Sequence, residues 1–160
     1  MLMLLDANVL IDFVTTDRQV LAMVVEHLGA VHVPRDVLAE VDQLDEEACG
    51  ALGLVIVDGT VEQLTEAGAV GGRLSFQDRV CLILARDNRW TCVTNDGRLR
   101  RECQAVNVPV LWGLQLMIDL VARGAMTAEA AIGVAEAVGA SNPRLKPEVV
   151  ADFRRKVRAP

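Results

Sequence analysis

Asp6, Glu40, Asp78 and Asp96 stand where the surrounding pattern predicts that a strand has just ended or a helix has begun. Carboxylates gathered at one place repel one another, which raises their pKa values and destabilises the fold unless a cation sits between them. Hard oxygen donors of this kind suit Mg²⁺ or Mn²⁺. One or two such ions position a water, lower its pKa and neutralise charge on a phosphodiester during in-line attack. That chemistry needs no histidine, cysteine or lysine. The two histidines, His27 and His32, fall in unremarkable places, and His32 reads as a packed side chain on a strand. Three of the acids also have bland readings. Asp6 is a good helix N-cap. Ser75 with Asp78 resembles a capping box. Asn95-Asp96-Gly97 would serve as a plain turn.

What favours chemistry is that a strand ending on an acid occurs twice. Leu2 to Leu5 is a short apolar run without alternation, as in a strand buried on both faces of a parallel sheet. Asp6 follows at once, with Asn8 and Asp12 in the next helical turns. Trp90 to Thr94 is a second such strand and runs into Asn95-Asp96, after which a helix begins around Leu99 and Cys103. Between them, Val20, Leu21, Val24, Val25 and Leu28 predict a helix stopped at Gly29. Ala30 to Val33 is a strand. Pro34 opens a helix running through Val37, Leu38 and Val41, with Glu40 about a turn and a half in. Residues 42–50 are acid-rich and read as a solvated face or loop. Leu54 to Val57 is a further buried strand, followed by a helix around Val61, Leu64 and Ala67. Gly68 to Gly72 reads as a flexible connection without the spacing of a dinucleotide loop. Ser75 opens a helix with Val80, Cys81, Leu84 and Ala85 on its buried side. Val108 to Leu111 is an edge strand, because Pro109 cannot donate to a ladder. This alternation predicts a parallel sheet with helices on both faces, whose carboxyl edge can collect all four acids. Beyond it, Leu114 to Val121 forms a helix stopped at Gly124, and Thr127 caps an Ala-rich helix broken at Ser141-Asn-Pro143. A basic tail runs from Arg144 to Arg158. Residues 1–125 are expected to form the main domain and residues 126–160 a helical extension carrying that tail.

Of the 160 residues, 52% are apolar and few are aromatic, so the core is aliphatic. A formal net charge of -6 means that affinity for nucleic acid is not written into the overall charge. Any anionic partner needs local basic patches or bridging metal ions. The four cysteines, at 49, 81, 92 and 103, form no C-x-x-C pair and read as buried reduced thiols. No secretory or membrane-spanning segment is recognised, so a soluble, cytoplasmic protein without a membrane partner is expected.

Four blocks carry a family resemblance: Leu5-Asp-Ala-Asn-Val-Leu-Ile11, Val33-Pro-Arg-Asp-Val-Leu-Ala-Glu-Val41, Leu74-Ser-Phe-Gln-Asp78 and Val93-Thr-Asn-Asp-Gly-Arg-Leu-Arg100. In type and order they resemble the PIN domain, over about residues 1–112. The resemblance implies a Rossmann-like α/β/α sandwich and a Mg²⁺- or Mn²⁺-dependent nuclease, often homodimeric. It places the metal-binding and catalytic positions on Asp6, Glu40, Asp78 and Asp96. Asn95 stands where members often show another acid. Many members resemble VapC-type toxins, endoribonucleases that cut RNA and are held inactive by a cognate antitoxin; the helices beyond residue 112 are similar to the extension of some of these. Asn8, Thr94 and Asn95, beside the acids, are expected to contact substrate. So are Arg98 and Arg101, which are three residues apart and share a helical face, whereas Arg100 points elsewhere. A phosphoryl-transfer receiver would want a lysine after a late strand, and Val108 to Gly113 offers none. A haloacid-type phosphatase would want an acid at position 8, which is Asn8. A PIN-type binding module without catalysis is the other alternative, separable from the enzyme by its lack of metal dependence.

Overall fold

The strand formed by the opening apolar run lies at the centre of the sheet. In the computed structural model, which describes residues 1–69 and 71–159, β1 (Leu2–Leu5) is followed by α1 (Ala7–Thr16), α2 (Gln19–His27), β2 (Ala30–Pro34), α3 (Arg35–Leu38), α4 (Glu46–Leu52) and β3 (Val55–Val57). Then come α5 (Val61–Ala69), α6 (Phe76–Asn88), β4 (Thr91–Val93), α7 (Gly97–Ala105), β5 (Val110–Leu111), α8 (Gly113–Ala122), α9 (Ala128–Ser141) and α10 (Pro147–Arg158). All five strands are parallel, in the order β3-β2-β1-β4-β5. β1 pairs on one side with β2, Leu4 opposite His32, and on the other with β4, Leu5 opposite Val93. With neighbours on both sides and helices above and below, Met3, Leu4 and Leu5 are completely buried, which is why this strand is uniformly apolar.

Helices flank the sheet in two packed groups. One comprises α1, α2, α4, α8, α9 and α10, and the other α3, α5, α6 and α7. The fold is thus the parallel sheet with helices on both faces that the alternation predicted, the Rossmann-like α/β/α sandwich implied by the resemblance. The chain winds outward from β1 to β3, returns to the other side of β1 for β4, and completes the sheet with β5. The order reverses between β1 and β4, so a crevice opens at their carboxyl ends, the place where such sheets bind ligands.

Several elements differ from expectation. The helix after Pro34 lasts a single turn, and three-residue-span bonds from Glu40 to Val37 and from Val41 to Leu38 tighten the chain; Glu40 therefore sits in a turn, outside the helix. Part of the acid-rich stretch 42–50 belongs to α4, because the Asp45 carboxylate accepts from Ala48 N–H and nucleates the first turn. β3 lies at the sheet edge, with Val55 exposed, and is not buried on both faces. Gly68 and Ala69 close α5; of the expected connection, Val70 lies outside the described residues. β5 is the opposite edge, as Pro109 required. The tail is a regular helix. Pro147 fills its first turn, and Val150, Phe153 and Val157 give it a buried stripe.

His32 packs as expected, stacked on Trp90 with ring centroids 3.8 Å apart, and its Nδ1 lies 2.9 Å from the Met3 carbonyl. All four cysteines are buried and unbridged. No helix among the described residues is long and apolar enough to cross a membrane. One continuous core includes Phe13, Leu116 and Met117 together with Ala131, Ala135, Val138, Phe153 and Val157 of the two C-terminal helices.

Candidate metal centre at the sheet edge

Asp6 ends β1 and caps α1, so its carboxylate is fixed by backbone on both sides. Its N–H donates to the Val93 carbonyl at 3.1 Å, tying it to β4. Its Oδ1 accepts from Val9 N–H at 3.0 Å, and its Oδ2 accepts from the Thr94 hydroxyl. The capping role and a role in chemistry do not compete, because each carboxylate oxygen keeps a second lone pair. Burial pushes the Asp6 pKa from 3.8 up to about 6; the two hydrogen bonds partly offset this, and the charges of Asp78 and Asp96 raise it further.

Thr94 is fully buried and spends its hydroxyl on the acids, donating to Asp6 and accepting from Asp96 N–H at 3.0 Å. It was expected to contact substrate; with no exposed surface it instead sets the spacing between the two acids. Asp96 caps α7, one carboxylate oxygen accepting from Arg98 N–H at 2.7 Å and Leu99 N–H at 3.0 Å. Its other oxygen carries no hydrogen bond from the described residues.

Asp78 stands in the first turn of α6. Ser75 Oγ accepts from Asp78 N–H at 3.1 Å, which is one half of a capping box. The reciprocal bond from Ser75 N–H to the Asp78 carboxylate is not made, and this leaves the carboxylate free at the sheet edge. Glu40 faces Asp78 from the turn after α3; partial burial and the Asp78 charge raise its pKa. The buried Cys81 thiol marks where these acids come together. Burial pushes its pKa far up, and Asp6, Asp78 and Glu40 each add to the rise. Asp78 and Asp96 thus both act on Asp6, and Glu40 joins through Asp78. Among the described residues no three or more His, Cys, Asp or Glu side chains stand close enough together to enclose a metal ion. The donor set is nonetheless all oxygen and anionic, which fits a hard divalent cation drawn in between side chains.

Asn8 is exposed on α1 beside this edge. Asn95 is committed to structure, its Oδ1 accepting from Gly113 N–H at 2.9 Å and its amide helping to hold Asp12. A Cβ at Gly113 would meet Asn95 Nδ2 and Val9 at 3.3 Å, so α8 starts on glycine to let the Asn95 side chain in. Asp12 is buried and accepts from Asn142 Nδ2 at 3.0 and 3.3 Å, which ties α1 to the end of α9. Arg98 and Arg101 are exposed and form no ion pair among the described residues. Arg100 does point elsewhere: its guanidinium lies 3.5 Å from the centre of the Trp112 indole.

Next to the acids a cleft of about 1060 Å³ opens between α1, α8 and the chain from Ser141 to Lys156. Asn8, Asn95 and Asp96 lie at its acidic end, Trp112 on its wall, and Arg144, Lys146 and Phe153 along the C-terminal side. Sequence reasoning passed over Trp112 and this cleft. A signal was present, because Trp112 directly follows a strand and so belongs to the same carboxyl edge as the acids.

The missing half of the capping box makes the role of Asp78 testable. Asp78→Glu offers Ser75 N–H a longer partner, so the melting temperature is expected to hold or rise slightly. Any metal-dependent activity is expected to fall roughly a hundredfold in kcat/KM, because a ligand displaced by about 1 Å misaligns the reaction. Activity retained together with unchanged stability would make Asp78 a helix-start residue only.

No protein-family model, curated protein or solved structure matches this chain.

Proposed function

We propose that the protein is a Mg²⁺- or Mn²⁺-dependent nuclease that hydrolyses phosphodiester bonds of RNA. The observation that carries this reading is the placement of Asp6, a buried carboxylate at the switch point of the sheet whose ionisation two further acids oppose and with which no basic side chain among the described residues pairs. An arrangement that costs stability by itself is accounted for by a cation that offsets it. Asp6, Asp78 and Asp96 would hold the ion, with Glu40 at the outer side. When bound, it supplies charge neutralisation at the phosphate and a water of lowered pKa. The chain's own part is orientation. Thr94 and Val9 N–H hold the Asp6 carboxylate, the α7 amides fix Asp96, and unpaired Arg98 and Arg101 attract the substrate backbone. On the resemblance of the four sequence blocks alone, the proposal extends to a PIN-domain, VapC-type toxin acting as a homodimer under a cognate antitoxin.

The test is linkage between metal and stability. At a metal concentration of 100 Kd the folded state gains about 2.7 kcal/mol, and the melting temperature of a chain this size is expected to rise by roughly 5–10 °C. Asp78→Asn and Asp96→Asn should gain less, and single-stranded RNA should be cut with Mn²⁺ and spared with EDTA. An undiminished thermal shift in both variants would put the ion elsewhere and sink the assignment.

A further inference from the structure

The indole of Trp112 is covered on one face by the Arg100 guanidinium, yet the residue is still 46% exposed and lines the cleft. The face turned to the cleft is therefore open. Arg100 has no carboxylate partner among the described residues, and its Nε is buried without a hydrogen bond, so it is the indole that seats this cation. A ring backed in this way is rigid, and a rigid open ring is a stacking platform.

The charges of the cleft follow a pattern. Asp152 is answered by Lys156 at 2.8 Å and by Arg155 at 2.9 Å. Asp12 is buried, with amides bonded to it. Arg144 and Lys146 are exposed at the rim and have no acidic partner among the described residues; Glu148 is the one acid left unpaired beside them. The cleft thus joins an open aromatic face to free cations, and it runs directly into Asp96 and Asn8. A flat ring carrying an anion suits that pairing, and nucleotides of an unpaired strand present both. At about 1060 Å³ the space exceeds an ordinary small-ligand pocket of roughly 300–1,000 Å³.

We propose that this cleft seats the nucleotide next to the cleaved phosphodiester of a single-stranded RNA, with its base stacked on the open face of Trp112 and its phosphate held by Arg144 and Lys146. The inference rests on the nuclease reading for its register beside the acids, and its test is chosen to fail separately. Trp90 is the other of the two tryptophans, so Trp90→Phe leaves Trp112 as the only indole reporter. Hexauridylate titrated into this protein in EDTA should quench the Trp112 fluorescence. Followed by the anisotropy of fluorescein-labelled hexauridylate, which needs no indole, Trp112→Ala should weaken binding by roughly 5- to 150-fold, the effect of losing one stacked base, and Trp112→Phe should restore most of it. A double Arg144→Ala, Lys146→Ala variant should flatten the salt dependence by about 0.7 log unit for each lost phosphate contact. With Mn²⁺, Trp112→Ala should raise KM more than it lowers kcat and leave the metal-induced thermal shift intact. The inference is overturned if RNA leaves the fluorescence unchanged, if a duplex of equal length competes as well as the single strand, or if Trp112→Ala binds RNA like its parent. Cleavage that persists through such a failure leaves the nuclease reading standing. Quenching without any metal-dependent cleavage removes that reading and leaves the cleft a single-strand binding site.

Discussion

Asp6→Asn is expected to lower metal-dependent RNA cleavage on the order of a thousandfold while leaving the fold intact, a loss typical of removing one preorganised electrostatic partner of the reaction. The size of the side chain is kept. The new amide oxygen can still accept from Val9 N–H, and the new NH₂ can donate to the Thr94 hydroxyl, which keeps a free lone pair beside its bond from Asp96 N–H. Stability should move the opposite way from activity. The folded pKa of about 6 lies above the unfolded 3.8, so the fold favours the protonated carboxyl. Below about pH 3 the group is neutral in both states and costs nothing. As pH rises through the window between 3.8 and about 6 the unfolded chain ionises first, and the fold loses stability; above that window the cost is complete, about 3 kcal/mol. Without metal, Asp6→Asn should therefore melt higher than wild type at pH 7 and no higher at pH 3, and its stability should decline less between those values. Thermal melts at the two pH values, paired with cleavage assays in Mn²⁺, read both effects. A folded variant that cleaves at the wild-type rate would remove Asp6 from the chemistry, and a variant less stable than wild type at pH 7 would show that its carboxylate serves the fold after all.

The central strand, the parallel alternation and the edge position of β5 were all readable from single residues, because each follows from a local rule. Leu2 to Leu5 has no polar alternation, and Pro109 cannot donate. Asp6 and Asp96 were readable for the same reason, each being the first acid after a strand. What escaped was decided by contacts distant in sequence. The turn at Glu40 comes from the chain tightening after a single helical turn, although Val37, Leu38 and Val41 have acceptable helical spacing. α4 was hidden by its own acids, which read equally as a solvated face or a loop until Asp45 is seen to cap the helix. Thr94 carries no mark in sequence to say that its hydroxyl bridges two acids. Asn95 lines the cleft, but nothing local in sequence shows that its amide oxygen is taken by Gly113, 18 residues away. Arg100 and Trp112 become a pair only because β5 lies beside β4 and carries Trp112 to the edge from which α7 departs.

The C-terminal helices offer the largest expected effect on stability. Phe153 of α10 is only 2% exposed, belongs to the continuous core, and also forms part of the cleft wall. Its helix packs on both α8 and α9, and α9 in turn packs on α1, the helix that Asp6 starts. Phe153→Ala removes a buried ring and leaves a void, at a cost of about 3–5 kcal/mol. Against the 5–15 kcal/mol of a typical domain this is a large share, and the melting temperature should fall by roughly 6–20 °C. Val149 lies on the same helix but is 40% exposed, so Val149→Ala should change stability by less than about 1 kcal/mol. Because core residues of α9 and α10 are shared with the sheet-facing helices, the loss should appear as one lowered cooperative transition followed by circular dichroism. An extension that folded separately would behave otherwise: α10 would melt early and the main transition would stay where it is. That outcome would confine the core to the first 125 residues, and it would also detach the Arg144–Lys156 wall of the cleft from the acids that the sheet holds in place.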